Sequence, residues 1–569
     1  MLNITPHQWQ ILSLFSATGE PVQVEVIKKI CPASRTVMDE SIKGLIDSFL
    51  AAPAGEGAFA LSESLPGPVK SRLDRMNSKK RIASLVALIR RLGLQESFTD
   101  PARFTLLIKA GRDYDAALLA EESARRAVQN DRSADALDLM NRVIPVISRH
   151  LGAPEWDKLF LSVVIETCRL KAHLIDGIHE IPSLLEKARY TAGQLGDRRT
   201  LARIDLISGL YRYVIGDARG GFDLIATGLK KVDELGDEEI MAISSEFRAI
   251  NFYLRGMYKE AVDAFDRVVR SNSVPSLKSI PPFLPEHLAS SSGLGYCCAL
   301  LGQYHRAIGV LDSHWRRSRL KKGDRNTPFY EALLGIVLII MGRRSEAYTH
   351  LKEAQKEALE IDNKQALHVA RKGLAYHAYF EGRIEDAYWM TMGTTHTENI
   401  GPQYNWPVHL EMLYTFEKQD LLPTIPSLAF EQEMERVLSG PNHHLRGVAL
   451  RIRALQAQEK GGSHEQVLAL LMESEEELLL TGDPVELAKT RAEMARVKLA
   501  QQDRPMARNY ALMAWEGLSG YGQDFFPDDL VPLLRVGTPP GPDPGSRTSS
   551  TGSWTSWTGS SPARTSTRS

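Results

Sequence analysis

The stretch Leu254-Arg-Gly256-Met-Tyr258-Lys-Glu-Ala261-Val-Asp-Ala264-Phe265 carries the pattern on which the fold prediction rests. It has a glycine, a large residue two positions later, a small residue three further on, and an apolar residue four beyond that. Near copies begin at Gly302, Gly342 and Gly382. Glycine can end a helix in the left-handed conformation, and a small side chain lets two helix backbones approach closely. Each copy therefore predicts a turn between two packed helices.

The copies recur at one interval along the chain. The turn positions are Gly216, Gly256, Gly302, Gly342, Gly382, Gly462 and Gln502. Successive steps are 40 residues or a multiple of 40, except for one step of 46 after Gly256. A degenerate turn is expected near Leu422, a further copy near Asp176, and six extra residues near Pro281. Neither helix of such a pair can bury its apolar face alone, so the period predicts an α-solenoid of stacked pairs.

A second turn recurs about half a period away from the first. Its copies are Gly196-Asp197, Gly236-Asp237 and Gly482-Asp483, and Gly323-Asp324 lies close to the same position. The glycine can end one helix and the aspartate can cap the next. The stretch 254–265 resembles the tetratricopeptide repeat, whose usual period is 34 residues. The longer period implies longer helices and resembles the repeats of large bacterial regulatory ATPases.

The first 75 residues lie outside the repeat. Trp9 to Phe15 and Val24 to Ile30 are expected to be helices, and Ser34 can cap a third helix over Val37–Phe49. Its apolar side is expected to hold Val37, Ile42, Leu45, Ile46 and Phe49. Gly55-Glu-Gly57 then leads into a short strand over Ala58–Leu61. Three helices followed by a wing predict a small winged-helix domain.

The order of these elements looks like the winged helix of signal-transduction ATPases with numerous domains, the STAND group. The run from Phe59 to Leu73 is similar to the segment that joins that domain to its repeats. Lys79 to Leu92 and Gly111 to Ala117 resemble the first helices of the array. The resemblance implies a regulatory arm in signal transduction or transcription. No G-x-x-x-x-G-K-S/T motif occurs, so the arm is expected to lack its own nucleotide switch, as a stand-alone partner or a fragment of a longer coding region.

The predicted fold class is all-α, with a winged-helix-like domain at 1–75 and a tetratricopeptide-like α-solenoid at 76–535. A Gly/Pro/Ser/Thr-rich tail at 536–569 is expected to be disordered. The net charge is −1, which excludes a global field for nucleic acid or an acidic membrane. The four cysteines form no C-x-x-C pair, and no signal peptide or bilayer-spanning run is evident, so a cytoplasmic protein is expected.

Two basic clusters are candidate binding residues. Arg316, Arg317, Arg319, Lys321 and Lys322 follow Trp315, and they either form a solvated helix end or bind an anionic ligand or acidic partner. The second cluster, from Lys70 to Arg81, could follow DNA phosphates. The candidate recognition helix, however, carries Asp39, Glu40 and Asp47, which would repel phosphate.

Aromatic residues are dense between 376 and 406. Most are expected in the repeat core, and Tyr376, Tyr379 and Trp406 are the candidates for lining a groove that receives a peptide or a small effector. No catalytic, cofactor or metal site is expected. His443, His444 and His464 lack an accompanying acidic ligand, and Cys297 and Cys298 are expected to pack between helices.

These features favour a non-enzymatic regulatory or scaffold protein whose solenoid binds a protein partner or small effector. The alternative hypothesis is a DNA-binding transcription regulator acting through the winged helix. Nucleic acid is not the expected partner, and no membrane association is expected. An enzyme with a site hidden in the solenoid is the third hypothesis, and no reactive group in the sequence points to it.

Overall fold

A computed structural model describes residues 4–31, 33–129, 132–174, 176–215, 217–271, 290–320, 327–395, 407–422, 430–518 and 526–534. They form 27 α-helices and three short strands within those ranges. The chain divides into two compact units, 1–174 with 183–197 and 175–182 with 198–569. None of the helices in the described ranges has both the length and the apolar character needed to cross a bilayer. The predicted tail at 536–569 lies outside the described residues.

The first unit starts with three helices and a small sheet. Its elements are α1 Pro6–Thr18, β1 Val22–Gln23, α2 Val24–Ile30, α3 Arg35–Asp47, β2 Ala51–Pro53, β3 Ala58–Leu61, α4 Gly67–Met76, α5 Lys79–Arg91, α6 Asp100–Lys109, α7 Asp113–Gln129, α8 Ser133–Ile147 and α9 Pro154–Leu174. The strands are antiparallel in the order β1-β3-β2, with Val22 opposite Phe59 and Ala51 opposite Leu61. A single core that runs from Trp9 to Ala110 joins this sheet to α1 through α6.

Several of the predicted bounds in this region agree with the structure. The α2 helix and the β3 strand begin and end where the sequence predicts them. Ser34 Oγ accepts a hydrogen bond from the Val37 amide, which confirms the predicted cap of α3. The predicted apolar side of α3 was wrong at its ends. Val37 is 38% exposed and Phe49 is 81% exposed, and Met38 takes the buried position instead. The physical reason is that α3 stops at Asp47, so Phe49 falls in the following turn with φ of 56°.

The second unit is a succession of helix pairs. After α10 Ile181–Leu195, which spans the division between the units, its helices are α11 Arg198–Val214, α12 Ala218–Leu235, α13 Glu238–Leu254, α14 Tyr258–Ser271, α15 Ser290–Leu300, α16 Tyr304–Leu320, α17 Thr327–Ile340, α18 Arg344–Glu360, α19 Lys364–Phe380, α20 Ile384–Thr395, α21 Val408–Lys418, α22 Phe430–Leu438, α23 His443–Glu459, α24 His464–Leu479, α25 Pro484–Ala500, α26 Arg504–Gly517 and α27 Val531–Leu534. One hydrophobic core extends from Ala202 to Leu478.

The 40-residue period is confirmed by where the second helix of each pair begins. These helices start at Ala218, Tyr258, Tyr304, Arg344, Ile384, His464 and Arg504, with steps of 40, 46, 40, 40, 80 and 40 residues. The expected pair between Ile384 and His464 is α21 with α22. Its turn has Asp420 at φ of 54°, and its second helix is described over Phe430–Leu438. Residue 424, where the period places the start of that helix, lies outside the described residues. The expected insertion near Pro281, the turn glycine Gly216 and the pair Gly323-Asp324 lie outside the described residues.

One turn differs from the prediction in detail. The left-handed residue after α23 is Gly461, with φ of 76°, whereas the sequence pattern placed the turn at Gly462. Gly462 is an additional residue between Gly461 and the Ser463 cap of α24. The turn is therefore one residue longer than its counterparts, although the start of α24 keeps the period.

The constant spacing between repeats comes from close packing of the paired helices, as the sequence pattern predicts. Ala261, Ala307, Ala347 and Ala387 are all fully buried, and so is Leu351, four residues after one of them. Across that pair, a Cβ added to Gly335 of α17 would lie 2.6 Å from Leu351 Cγ. Small residues on both sides therefore let the paired helices approach closely.

Gln502 gives a prediction about turn strain. It occupies the turn position that glycine holds at Gly342 and Gly382, and its φ is 61°. A side chain in this conformation is strained, so Gln502→Gly is expected to raise the free energy of unfolding by about 0.5–1 kcal/mol. Urea unfolding measures the change. The preceding residue is a matched control, because Gln501 has φ of −76° and Gln501→Gly should destabilise the chain. Equal effects of the two substitutions would contradict the explanation.

Candidate functional site

The predicted basic cluster lies on α16, where its described members have different surroundings. Arg316 forms an ion pair with Asp312 at 2.8 Å, and Arg317 is exposed. Lys321 and Lys322 lie outside the described residues. A role in partner binding for these five side chains stays a prediction.

Arg319 has a structural role in the same cluster. Its guanidinium lies 4.8 Å from the centre of the Trp315 ring and donates to Glu357 Oε1 at 2.9 Å. It also lies 3.5 Å from Glu331 Oε2 on α17. Arg319 therefore links α16 with the next helix pair, α17 and α18.

The predicted aromatic residues lie in the core where the structure describes them. Tyr376 is 3% exposed and Tyr379 is 8% exposed, whereas Trp406 lies outside the described residues. Burial, together with Tyr253, raises the pKa of Tyr376 well above its usual range. The Tyr379 hydroxyl lies 3.1 Å from Thr415 Oγ1 on α21. Burial first, and Glu411 second, raise the pKa of Tyr379 to about 12.

Glu411 belongs to a charged network that connects three successive first helices, α21, α23 and α25. Arg451 of α23 donates to Glu411 Oε1 at 2.8 Å and to Glu486 Oε2 at 2.5 Å. Lys489 of α25 donates to the same Glu411 oxygen at 3.0 Å and to Glu486 Oε1 at 2.8 Å. Two cations and two carboxylates thus balance one another. We call these four residues the charged network.

The charged network keeps Glu486 and Lys489 ionised despite burial. Burial alone would raise the pKa of Glu486, but the Lys489 ammonium and the Arg451 guanidinium outweigh it and hold the pKa well below its usual range. Burial would lower the pKa of Lys489, and Glu411 and Glu486 together raise it above its usual value. Arg451 is 4% exposed, whereas Glu411 and Lys489 are 21% and 18% exposed. The network therefore presents part of its charge to solvent.

None of these four residues was among the predicted site residues, although the sequence contains a signal for them. Glu411 and Arg451 lie 40 residues apart, which is one repeat period. They consequently occupy equivalent positions on neighbouring first helices. Opposite charges at equivalent positions of adjacent repeats predict an ion pair between repeats. Glu486 and Lys489 are three residues apart on one helix, a spacing that places them side by side.

A second contact brings together parts of the array that are distant in sequence. The Tyr258 hydroxyl at the start of α14 lies 2.7 Å from His444 Nδ1 on α23. Nearby, the Asn442 amide donates to the Leu254 carbonyl at 2.9 Å, and the His443 amide donates to the Arg255 carbonyl at 2.8 Å. We call this the closing contact. It shows that the array curves back on itself between the second and seventh helix pairs that follow α10.

The closing contact explains the histidines that the sequence placed side by side. His444 is fully buried, and its Nε2 lies 3.0 Å from Asp483 Oδ2. His443 Nδ1 lies 2.7 Å from Glu477 Oε2. Within the described ranges, no group of three or more His, Cys, Asp or Glu side chains is arranged to hold a metal ion. A Cβ on Gly256 would lie 2.8 Å from the His444 amide nitrogen, so this turn needs glycine for space as well as for its φ of 72°.

Titratable side chains of α19 and α21 lie near one another in the same unit. Burial first, then Lys372 and Arg371, lower the pKa of His368 to about 4. Burial, Lys372 and Arg436 lower the pKa of His409 well below its usual range. Burial also lowers the pKa of Lys372 to about 7, against the opposing effect of Glu433. Both imidazoles are therefore neutral in the folded chain at pH 6.

This neutrality predicts a pH dependence of stability. Below about pH 6.5 the unfolded chain takes up protons on His368 and His409 that the folded chain does not. Stability is therefore expected to fall as the pH falls from 6.5 towards 4, by on the order of 3 kcal/mol for His368. Urea unfolding at pH 7 and pH 5 measures the decline. The decline between pH 7 and pH 5 should be smaller in His368→Gln than in the wild type. It should equal the wild-type decline in His464→Gln, which alters an exposed histidine. An equal decline in wild type and His368→Gln would refute the assignment.

The four cysteines are buried, and their thiols are poorly suited to nucleophilic chemistry. Burial raises the pKa of Cys31 to about 11 and that of Cys168 to about 12. It raises the pKa of Cys298 to about 11 despite Arg306, and it raises that of Cys297 well above the usual range. The thiolate is the reactive form, and it is scarce at neutral pH in such surroundings. Cys297 and Cys298 lie on α15 and pack in the hydrophobic core between helices, as the sequence predicts.

No protein-family model matches the chain, and no curated protein matches it. Several solved structures resemble it at low sequence identity. A Rap protein complexed with Competence and Sporulation Factor is 11% identical, with a TM-score of 0.40 over 72% of this chain and 99% of that one. One chain of the APC/C hetero-tetramer Cut9-Hcn1 is 12% identical, with a TM-score of 0.44. The match covers 79% of this chain and 83% of that chain.

A STAND protein with a tetratricopeptide repeat sensor from Pyrococcus horikoshii is also similar. It is 12% identical, with a TM-score of 0.35, and the match covers 92% of this chain. The chain spans 65% of the length of that protein. These similar structures are helical-repeat proteins of the tetratricopeptide type.

Proposed function

We propose that this chain is a non-enzymatic regulatory or scaffold protein whose tetratricopeptide-like solenoid binds a protein or peptide partner. The observation that carries the proposal is the row of polar side chains on successive first helices. Glu411, Arg451 and Lys489 of the charged network lie on α21, α23 and α25. Neighbouring helices pack about 8–10 Å apart, so three helices span roughly 16–20 Å. That distance matches an extended peptide of about five residues.

The chemistry of the row suits an extended peptide better than a reactive substrate. Partly exposed Glu411 and Lys489 offer an acceptor and a donor on neighbouring helices. Such groups can pair with peptide amides and carbonyls and with charged side chains. Arg451 and Glu486 are more deeply buried and hold the two exposed groups in position. The raised thiol pKa values described above also favour binding over covalent chemistry.

We further propose that the N-terminal elements form a winged helix that serves the same regulatory role. The order α1, β1, α2, α3, β2, β3 and the sheet order β1-β3-β2 support this proposal. Asp39, Glu40 and Asp47 are exposed on α3, the candidate recognition helix. Acidic side chains there disfavour phosphate contacts, so partner binding is preferred to DNA binding. The partner would supply the nucleotide switch or the transcription activity. We propose that both proteins act in the cytoplasm.

Peptide display tests the proposed groove. A random library of short peptides is selected on the full chain, and the enriched peptides are measured against Lys489→Gln and Glu411→Gln. We expect binding to weaken by about tenfold or more in each variant, because one charged hydrogen bond is worth about 1.5–3 kcal/mol. Lys356→Gln is the matched control, because Lys356 is 65% exposed on α18, away from the row.

Folding must be monitored in the same experiment. The circular dichroism and melting temperature of each variant show whether lost binding comes from lost structure, and Lys489→Arg should keep most of the affinity. Enriched peptides that bind wild type, Lys489→Gln and Glu411→Gln equally would place the binding surface elsewhere. A library that gives no enriched peptide would contradict the peptide-binding proposal.

A further inference from the structure

Helices α4 and α5 of the first unit carry an unusual concentration of positive charge. Residues 67–91 contain one acidic residue, Asp74, and eight basic residues. The basic residues are Lys70, Arg72, Arg75, Lys79, Lys80, Arg81, Arg90 and Arg91. The net charge of this stretch is 8 − 1 = +7, whereas the whole chain has −1, so the remainder carries −8. We call the eight residues the basic patch.

The basic patch lacks the ion pairs that are common elsewhere in the molecule. All eight side chains are exposed, and none lies within ion-pair distance of a carboxylate among the residues that the structure describes. Three have other contacts, and one of these is the Lys79 side chain, which packs over Gly111. The Arg72 guanidinium lies 4.2 Å from the centre of the Trp9 ring, and Arg75 Nε donates to the Ser71 carbonyl. Elsewhere in the same unit, by contrast, Arg112 pairs with Asp115 at the start of α7, and Arg169 pairs with Glu166 within α9.

The basic side chains of the patch repel one another in the free chain. Like charges on α4 and α5 lower the stability of the folded unit, and the effect is strongest at low ionic strength. Neutralisation by an anionic partner would remove this repulsion. The local charge therefore favours a negatively charged binding partner, although the chain as a whole is nearly neutral.

A cavity adjoins the basic patch. It has a volume of about 410 Å³ and lies between α1, α2 and α5, with Arg81 among its lining residues. Its wall is mostly apolar and includes Leu14, Ile30, Leu85 and Leu88. Ser13 and Asn77 also line it, and they are joined by a 2.6 Å hydrogen bond between Ser13 Oγ and Asn77 Oδ1. The volume is within the range of sites that hold small molecules or side chains.

We propose that the basic patch and this cavity together bind an acidic protein segment that inserts an apolar side chain beside Arg81. The patch supplies attraction and orientation, while the cavity supplies burial of apolar surface. A nucleic acid would use the charges but has no aliphatic side chain for the cavity. The combination of charge and apolar cavity therefore favours an acidic peptide over a phosphate backbone. This surface is separate from the polar row of the second unit.

A fluorescent acidic peptide with two central leucines tests the proposal on the full chain. The comparison probes are the same peptide with both leucines changed to serine and a short DNA duplex. We expect the leucine peptide to bind more tightly than the serine peptide by about tenfold or more, because one leucine side chain leaves water when it enters the cavity. Both affinities should fall as salt is added.

Variants separate the two parts of the surface. Ser84→Trp should fill the cavity, because Ser84 is exposed and lines it. The affinity for the leucine peptide should then fall to that for the serine peptide. The double variant Lys80→Glu, Arg81→Glu should weaken both peptides by about tenfold or more. The matched control is the double variant Arg149→Glu, Lys158→Glu. It makes an equal change in net charge at other exposed positions of the same unit, and it should leave binding unchanged.

Three results would overturn the proposal. Tighter binding of the DNA duplex than of the leucine peptide would make the patch a nucleic-acid surface. Equal binding of the leucine and serine peptides, or no effect of Ser84→Trp, would exclude the cavity from the site. Melting curves of each variant confirm that the first unit remains folded.

Discussion

Replacing Arg451 by methionine is expected to lower the free energy of unfolding by about 3–5 kcal/mol. The guanidinium is 4% exposed and donates to carboxylates on both neighbouring first helices. Without it, Lys489 alone faces Glu411 and Glu486, so one buried negative charge is uncompensated. The effect should appear as a large drop in the urea midpoint and in the melting temperature.

Arg453 provides a control on the same helix. It forms an ion pair with Glu431, whose side chain is 54% exposed. Exposed pairs contribute about 0–1 kcal/mol, so Arg453→Met should cost much less than Arg451→Met. Similar losses for the two substitutions would show that the charged network adds no more stability than a surface pair.

The second large effect is expected at the closing contact. Tyr258 is fully buried and bonded to His444, so Tyr258→Ala should lower the free energy of unfolding by about 3–5 kcal/mol. Tyr258→Phe keeps the ring and removes only the hydroxyl, which leaves His444 Nδ1 without that partner. Its cost should be about 1–3 kcal/mol. Urea unfolding followed by fluorescence and circular dichroism measures both.

Tyr304 is the matched control, because it occupies the equivalent position at the start of α16. It is only partly buried, so Tyr304→Phe should cost less than Tyr258→Phe. A double-mutant cycle of Tyr258→Phe with His444→Gln isolates the interaction between the two side chains. Additive effects in that cycle would mean that the closing contact contributes no coupling between distant repeats.

Much of the second unit could be predicted because the determining signal is local and periodic. A turn glycine, a buried alanine and a fixed spacing repeat whenever two helices pack in the same way, as at Gly342 and Ala347. The contact between Glu411 and Arg451 was predictable from the same period, since it joins equivalent positions of neighbouring repeats.

The closing contact could not be predicted by that reasoning. Tyr258 and His444 are 186 residues apart, and no local pattern relates them. Their meeting depends on small rotations between successive repeats, which accumulate along the array. For the same reason, local sequence could not tell which aromatic side chains face the interior. Tyr376 is buried near Tyr253 of a distant helix pair.

The N-terminal region shows a different limit of sequence reasoning. Caps such as Ser34 and strand-like runs such as Ala58–Leu61 located the elements, because their signals lie within a few residues. The environment of Phe49 was missed. Its position depends on where α3 stops, and one or two residues there separate a core position from an exposed turn.

The closing contact also has a consequence for synthesis of the chain. Ribosomes add about 5–20 residues per second, so the 186 residues from Tyr258 to His444 take roughly 10–40 seconds to appear. During that interval α13 and α14 have emerged without the segment that covers Tyr258. The nascent array must expose this surface to chaperones, or to premature contacts with other chains, until α23 has left the exit tunnel.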